Sequence, residues 1–102
     1  MTEQELLQMR DLAEDGKLQF KERANDRYDI SCEIVAFCNS RGGQLVIGIN
    51  DKTGVINALS YQELQEVTNL LTNIASENVI PNILIEVENV PVKGGGVVIA
   101  TI

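Results

Sequence analysis

Lys17, Lys21, Arg23, Arg27, Arg41 and Lys52 are six of the eight basic residues in a 102-residue chain whose net charge is −7. Cations grouped this way suit contact with the phosphate oxygens of a polyanion, an attraction that weakens as salt rises. Residues 1–16 and 53–102 each hold one basic and five acidic side chains, whereas 17–52 hold six basic against five acidic. Lys21 and Arg23 alternate on one strand face with Gln19, and Arg27, Arg41 and Lys52 are expected to converge on them from adjoining loops. These five are the candidate nucleic-acid contacts. The competing reading is a solvated surface on which Glu22, Asp26, Asp29 and Glu33 neutralise the patch.

Other chemistries are narrowed by what is missing. The chain has no histidine, which removes Ser-His and Cys-His nucleophilic schemes. With two cysteines only, a zinc site is not expected, and no cofactor is expected. Cys32 and Cys38 lie six apart in one helix, about 9 Å along its axis, so they do not pair and are read as reduced core or boundary residues. Only Phe20, Tyr28, Phe37 and Tyr61 are aromatic, which gives little support to a base-stacking platform.

Residues 36–55 carry the densest local signal. A helix ends at Asn39-Ser40-Arg41, Gly42-Gly43 turns the chain, an apolar strand follows, and Asp51 to Gly54 form a tight turn. Asn39, Gly42, Gly43, Gly48 and Gly54 are assigned as structural turn residues. The glycine pair lacks a following Gly-Lys-Ser/Thr and comes after a helix, whereas a phosphate loop precedes one. Asp51 reads first as a turn former and second as a metal ligand.

The elements that must position these residues follow from periodicity. A short helix is expected over 3–14, and residues 17–22 alternate as a half-buried strand with Leu18 and Phe20 on one face. Asp26 and Asp29 are candidate caps of a helix whose inner face holds Ile30, Ile34, Phe37 and Cys38. Residues 44–49 read as a central strand. Ser60 and Glu63 have capping-box spacing ahead of a helix with Leu64, Val67, Leu71, Ile74 and Ala75 on one stripe. Ile83, Ile85 and Val87 suggest a third strand, and Lys93 to Gly96 a hairpin into Val97–Ile102.

The predicted fold is α/β (α+β): a two-layer sandwich with a β-α-β-α-β-β mixed sheet and an added N-terminal helix. Strands one to three run parallel and the closing hairpin supplies an antiparallel strand. The face away from the crossover helices is expected to show Gln19, Lys21 and Glu86 among Val46, Leu84 and Val98, covered by the N-terminal helix or by a second subunit in a homodimer. Length and ordinary composition indicate one domain, 1–102. Its end inside an apolar strand suggests the N-terminal part of a longer protein. No apolar run reaches the ~20 residues of a membrane span, and no secretory signal opens the chain, so a cytoplasmic location is expected.

Three blocks together resemble the Alba-like DNA-binding domain shared by bacterial transcriptional regulators and Schlafen proteins. They are Glu14-Asp-Gly-Lys-Leu-Gln-Phe-Lys21; Ala36-Phe37 with Asn39 and Gly42-Gly43; and Leu45-Val-Ile-Gly48-Ile with Asp51, Gly54 and Val55. The resemblance implies the same β-α-β-α-β-β order, a nucleic-acid partner with DNA favoured over RNA, and further C-terminal domains of a regulator. Nuclease members of the Schlafen group use three carboxylates, and the matching positions here are Glu14, Gln19 and Asp51. A glutamine lacks the charge that helps hold Mg²⁺ or Mn²⁺, so cleavage is expected to be impaired or absent. Ala58 also stands where the family commonly has glycine. The expected role is a non-catalytic nucleic-acid-binding regulatory domain. The alternatives are a structural or oligomerisation module and a degenerate metal-dependent nuclease using Glu14 and Asp51.

Overall fold

The computed structural model describes residues 1–11, 17–77 and 84–102. Its elements are α1 (Glu3–Asp11), β1 (Leu18–Lys21), α2 (Arg27–Asn39), β2 (Gln44–Ile47), α3 (Tyr61–Glu77), β3 (Glu86–Val92) and β4 (Gly95–Thr101). The sheet order is β1-β2-β4-β3, with β1 and β2 parallel and both remaining pairings antiparallel. The predicted α/β two-layer order with an N-terminal helix is therefore the observed one. The closing strand does not extend the sheet at its margin; β4 is inserted between β2 and β3, where its run of buried residues from Gly96 to Ala100 is covered on both sides.

Each helix start is written locally. Asp26 caps α2, its Oδ1 accepting from the N–H groups of Tyr28 (3.0 Å) and Asp29 (3.4 Å). That settles the choice between Asp26 and Asp29. Ser60 and Glu63 form the anticipated reciprocal box, with Glu63 N–H to Ser60 Oγ at 3.2 Å and Ser60 N–H to Glu63 Oε1 at 3.0 Å. Thr2 and Glu5 make the same arrangement at α1.

The helix face of the sheet is closed by Ile30, Ile34 and Phe37 of α2 and Val67, Leu71 and Ile74 of α3, packed on Leu45, Ile47, Val98 and Ala100. The other face carries Val46, Val90, Val97 and Ile99, and α1 covers it with Leu6 and Met9. Thus the N-terminal helix supplies the cover required there.

Three placements differ from the sequence reading. Register pairs Phe20 with Val46 and Lys21 with Ile47, so Leu18 and Phe20 face α1, while Gln19, Lys21 and Val98 lie on the α2/α3 side. A strand's alternation fixes which residues share a face but not which face meets which helix. The third strand begins at Glu86 and runs on to Val92, because the turn at Lys93-Gly94 is short and its register reaches back only to Glu86 opposite Thr101. Leu84 and Ile85 precede it, and Ile83 lies outside the described residues. Cys38 is exposed, as is Cys32, so neither belongs to the core. Among the described residues, no helix is long and apolar enough to cross a membrane.

Candidate nucleic-acid interface

Parallel pairing of β1 with β2 brings the end of the first motif block against the turn of the third. There Phe20, Lys21, Glu22, Asn50, Asp51 and Lys52 line an open cleft of about 330 Å³. Clefts at the carboxyl ends of parallel strands are common ligand positions in α/β sheets, since loops leaving the strands meet there.

Asn50 organises the turn. Its Oδ1 accepts from the backbone N–H of Lys52 and of Thr53, both at 2.9 Å, and Gly54 N–H returns to Asn50 C=O at 2.9 Å. The bonds fix the loop that carries Asp51 and Lys52, whose side chains are exposed. Asn50 Nδ2 also donates to Glu22 Oε2 at 2.7 Å, and Asn57 Nδ2 donates to Glu22 Oε1 at 3.0 Å. These bonds to Asn50 and then Asn57 favour the carboxylate and hold Glu22 below its ordinary range.

The candidate cations do not meet as one patch. Lys21 points to α2, with Nζ 2.7 Å from Asp29 Oδ2 and 3.9 Å from Glu33 Oε1. The hydrogen bond to Asp29 raises its pKa, against the opposing cost of desolvation. Arg23 is a staple: it donates to the carbonyls of Glu22 (2.8 Å) and Asn57 (2.9 Å) and pairs through Nε with Glu63 Oε2 at 3.1 Å. It thereby ties the end of β1, the 57–58 segment and the first turn of α3. Arg27 opens α2 and is engaged within the fold. Arg41 lies past the other end of α2, just before β2, at the opposite end of the sheet from Lys52. Lys52 alone of the five is both exposed and on the cleft.

The turn glycines have structural work. At Gly42, with φ +88°, a Cβ would strike the carbonyl oxygen of Ile102; at Gly43 it would strike the Phe37 ring. Gly43 and Ile102 bond each other's backbone, N–H of Ile102 to Gly43 C=O at 2.9 Å, so the corner is sealed against the end of the chain's last strand. Gly48 and Gly54 also take positive φ, and Gly54 C=O accepts from Arg10 Nη1 at 2.7 Å. At the helix end, Ser40 rather than Asn39 makes the closing bond, its N–H donating to Phe37 C=O at 3.1 Å. The Asn39 side chain is exposed.

Of the three carboxylate positions implied by resemblance, Glu14 lies outside the described residues. Gln19 is half-buried in β1 opposite Leu45, and Asp51 is exposed on the cleft. Among the described residues no group of three or more His, Cys, Asp or Glu side chains is placed to hold a metal ion. Sequence reasoning missed Asn57 and the stapling role of Arg23. Asn57 meets Glu22 across 35 residues, and Arg23 reaches Asn57 across 34 and Glu63 on α3, so no local pattern marks them.

This chain belongs to the Schlafen, AlbA_2 family, whose model matches residues 14–102. Among solved structures, it is similar to the N-terminal domain of a Nitrosomonas europaea protein described as related to the ATP-dependent DNA helicase RecG. That likeness has a TM-score of 0.64 at 18% identity, over 95% of this chain and 69% of the other, and establishes a shared fold. No curated protein sequence matches the chain.

Proposed function

We propose that this domain binds nucleic acid at the β1–β2 cleft as a non-catalytic module of a longer regulator, with DNA preferred over RNA. The observation that carries the reading is the meeting, in one cleft, of two of the three blocks that bear the family pattern, with Lys52 held outward by the Asn50 turn. The family assignment supports it, as does likeness to a domain of a DNA-helicase-related protein. Phe20, half-buried at the cleft wall, offers a ring against which a base or sugar can rest.

Neighbouring charges set the expected strength. Glu22 and Asp51 share the cleft, and the charge of Lys21 is offset by Asp29 and Glu33. A ligand thus gains few phosphate contacts, and the slope of log affinity against log salt is expected to be shallow, about −1 to −3. Titration of labelled duplex DNA, single-stranded DNA and RNA at low salt tests this. Lys52→Ala is expected to weaken binding several-fold without altering the fold, and Lys21→Ala is expected to weaken it less. Absence of binding at about 50 μM, or binding indifferent to Lys52, overturns the proposal.

A second reading, a degenerate metal-dependent nuclease, draws on Asp51 standing in that same cleft. Incubation with tRNA and DNA in Mn²⁺ decides it: cleavage abolished by Asp51→Asn supports the nuclease, and no cleavage removes it.

A further inference from the structure

A groove of about 820 Å³ lies away from the cleft, along the outer side of α2. Tyr28, Cys32, Val35 and Asn39 recur there at intervals of four, three and four residues, the spacing by which a helix meets a partner helix. They stand opposite Ile30, Ile34 and Phe37, which fill the core. Tyr28 is 77% exposed and Val35 39% exposed. The only charged residues between Tyr28 and Asn39 are Asp29 and Glu33, and both turn aside to Lys21. A solvent-facing strip with one charged lining residue, Arg27 at its head, on a chain carrying −7, is the mark of a surface that meets another surface.

We infer that this strip is the contact between two copies of the chain, their α2 helices packed antiparallel about a two-fold axis. The inference is independent of the nucleic-acid reading. Three features point to a second copy as the occupant. The strip is self-complementary: an axis midway between Cys32 and Val35 is also midway between Tyr28 and Asn39. Cys32 then faces Val35 of the second copy, and Tyr28 faces its Asn39, the layer pattern of an antiparallel helix pair. Ser31 and Ala36 flank the strip and are small enough for the axes to approach to about 8 Å.

Charge complements this register. The last turn of α2 has no basic residue, and its carbonyl end is the negative pole of the helix. Antiparallel pairing brings Arg27 of one copy level with that end of the other. Arg41, just beyond the helix, comes level with the exposed Asp26 of the second copy. A pair of 13-residue helices covers less than the ~800 Å² per partner of a stable complex, so the association is reversible.

Sedimentation velocity from about 10 μM to about 1 mM is expected to show a monomer–dimer equilibrium. Val35→Glu is expected to raise its dissociation constant more than tenfold while leaving circular dichroism and the unfolding midpoint of dilute protein unchanged. For geometry, Tyr28→Cys and Asn39→Cys are combined with Cys32→Ser and Cys38→Ser. The two thiols sit about 16 Å apart along one helix and cannot close within a chain. Mild copper-phenanthroline oxidation is expected to give covalent dimers, and the matched exposed pair Gln62→Cys and Asn73→Cys on α3, in the same background, is expected to give none. A monomer throughout the concentration range, association indifferent to Val35→Glu, or equal cross-linking by the α3 pair overturns the inference.

Discussion

α2 and α3 cover the same face of the same sheet, yet their outer surfaces are built differently. α3 has one apolar stripe, with Val67, Leu71 and Ile74 buried, and a hydrogen-bonding outer side. Gln62 bonds Glu66 at 3.1 Å, Gln65 bonds the Tyr61 hydroxyl at 3.2 Å, and Thr72 Oγ1 donates to Thr68 C=O at 2.9 Å. α2 has the same inward apolar face but turns Tyr28, Cys32, Val35 and Asn39 outward. Core packing constrains about half of a helix surface; the rest is free to answer to solvent or to a partner. α3 answers to solvent, and α2 carries the features of a partner-facing helix.

Truncation inside the core should show the two helices as equals. Ile34→Ala on α2 and Leu71→Ala on α3 both remove fully buried side chains, and each is expected to cost about 2–5 kcal/mol in urea unfolding. A cost under 1 kcal/mol for either would break the symmetry of their inner faces. The caps give the next largest effect: Asp26→Ala and Ser60→Ala are each expected to cost about 1 kcal/mol by the same measurement, because each removes an acceptor for backbone N–H groups of the first turn.

pH separates the two helix starts. Glu63, at the head of α3, is held below its ordinary 4.5 by the Ser60 N–H first, with Arg23 contributing, and Glu22 is held below it by Asn50 and Asn57. Stability from these depressed carboxyls is present above about 4.5 and is lost as pH falls through their folded values. Lys21, which reaches the head of α2, has a pKa above its ordinary 10.5. Its contribution is complete below 10.5 and is lost as pH rises through the folded value. Thermal unfolding midpoints of Glu63→Gln are therefore expected to converge on wild type in acid, and those of Lys21→Met in strong alkali. Smallest of all should be the effect of surface changes on folding. Val35→Glu and Asn69→Glu are each expected to shift stability by less than about 0.5 kcal/mol, with only the former altering self-association in sedimentation.

Much of this architecture was legible beforehand. Alternation in Leu18–Lys21, the box at Ser60 and Glu63, the stripe at Leu64, Val67, Leu71 and Ile74, and the Asn50–Gly54 turn are local patterns, and each formed where it was read. The site was less legible. That β1 ends beside the Asn50 turn follows from the order of elements; that Arg23 spends its donors on Glu22, Asn57 and Glu63 does not. Similarly, Lys21 and Arg23 sit two apart and look alike in sequence, but one reaches α2 and the other α3.

By itself, then, the sequence determined most of the elements, their caps and their turns, since each depends on neighbours within a few residues. Tertiary structure alone decided which face of β1 meets α2, that β4 enters between β2 and β3, and which cations the fold consumes. Those outcomes depend on pairings between residues tens of positions apart. Backbone register and charge neutralisation choose among such pairings only once the whole chain is in place.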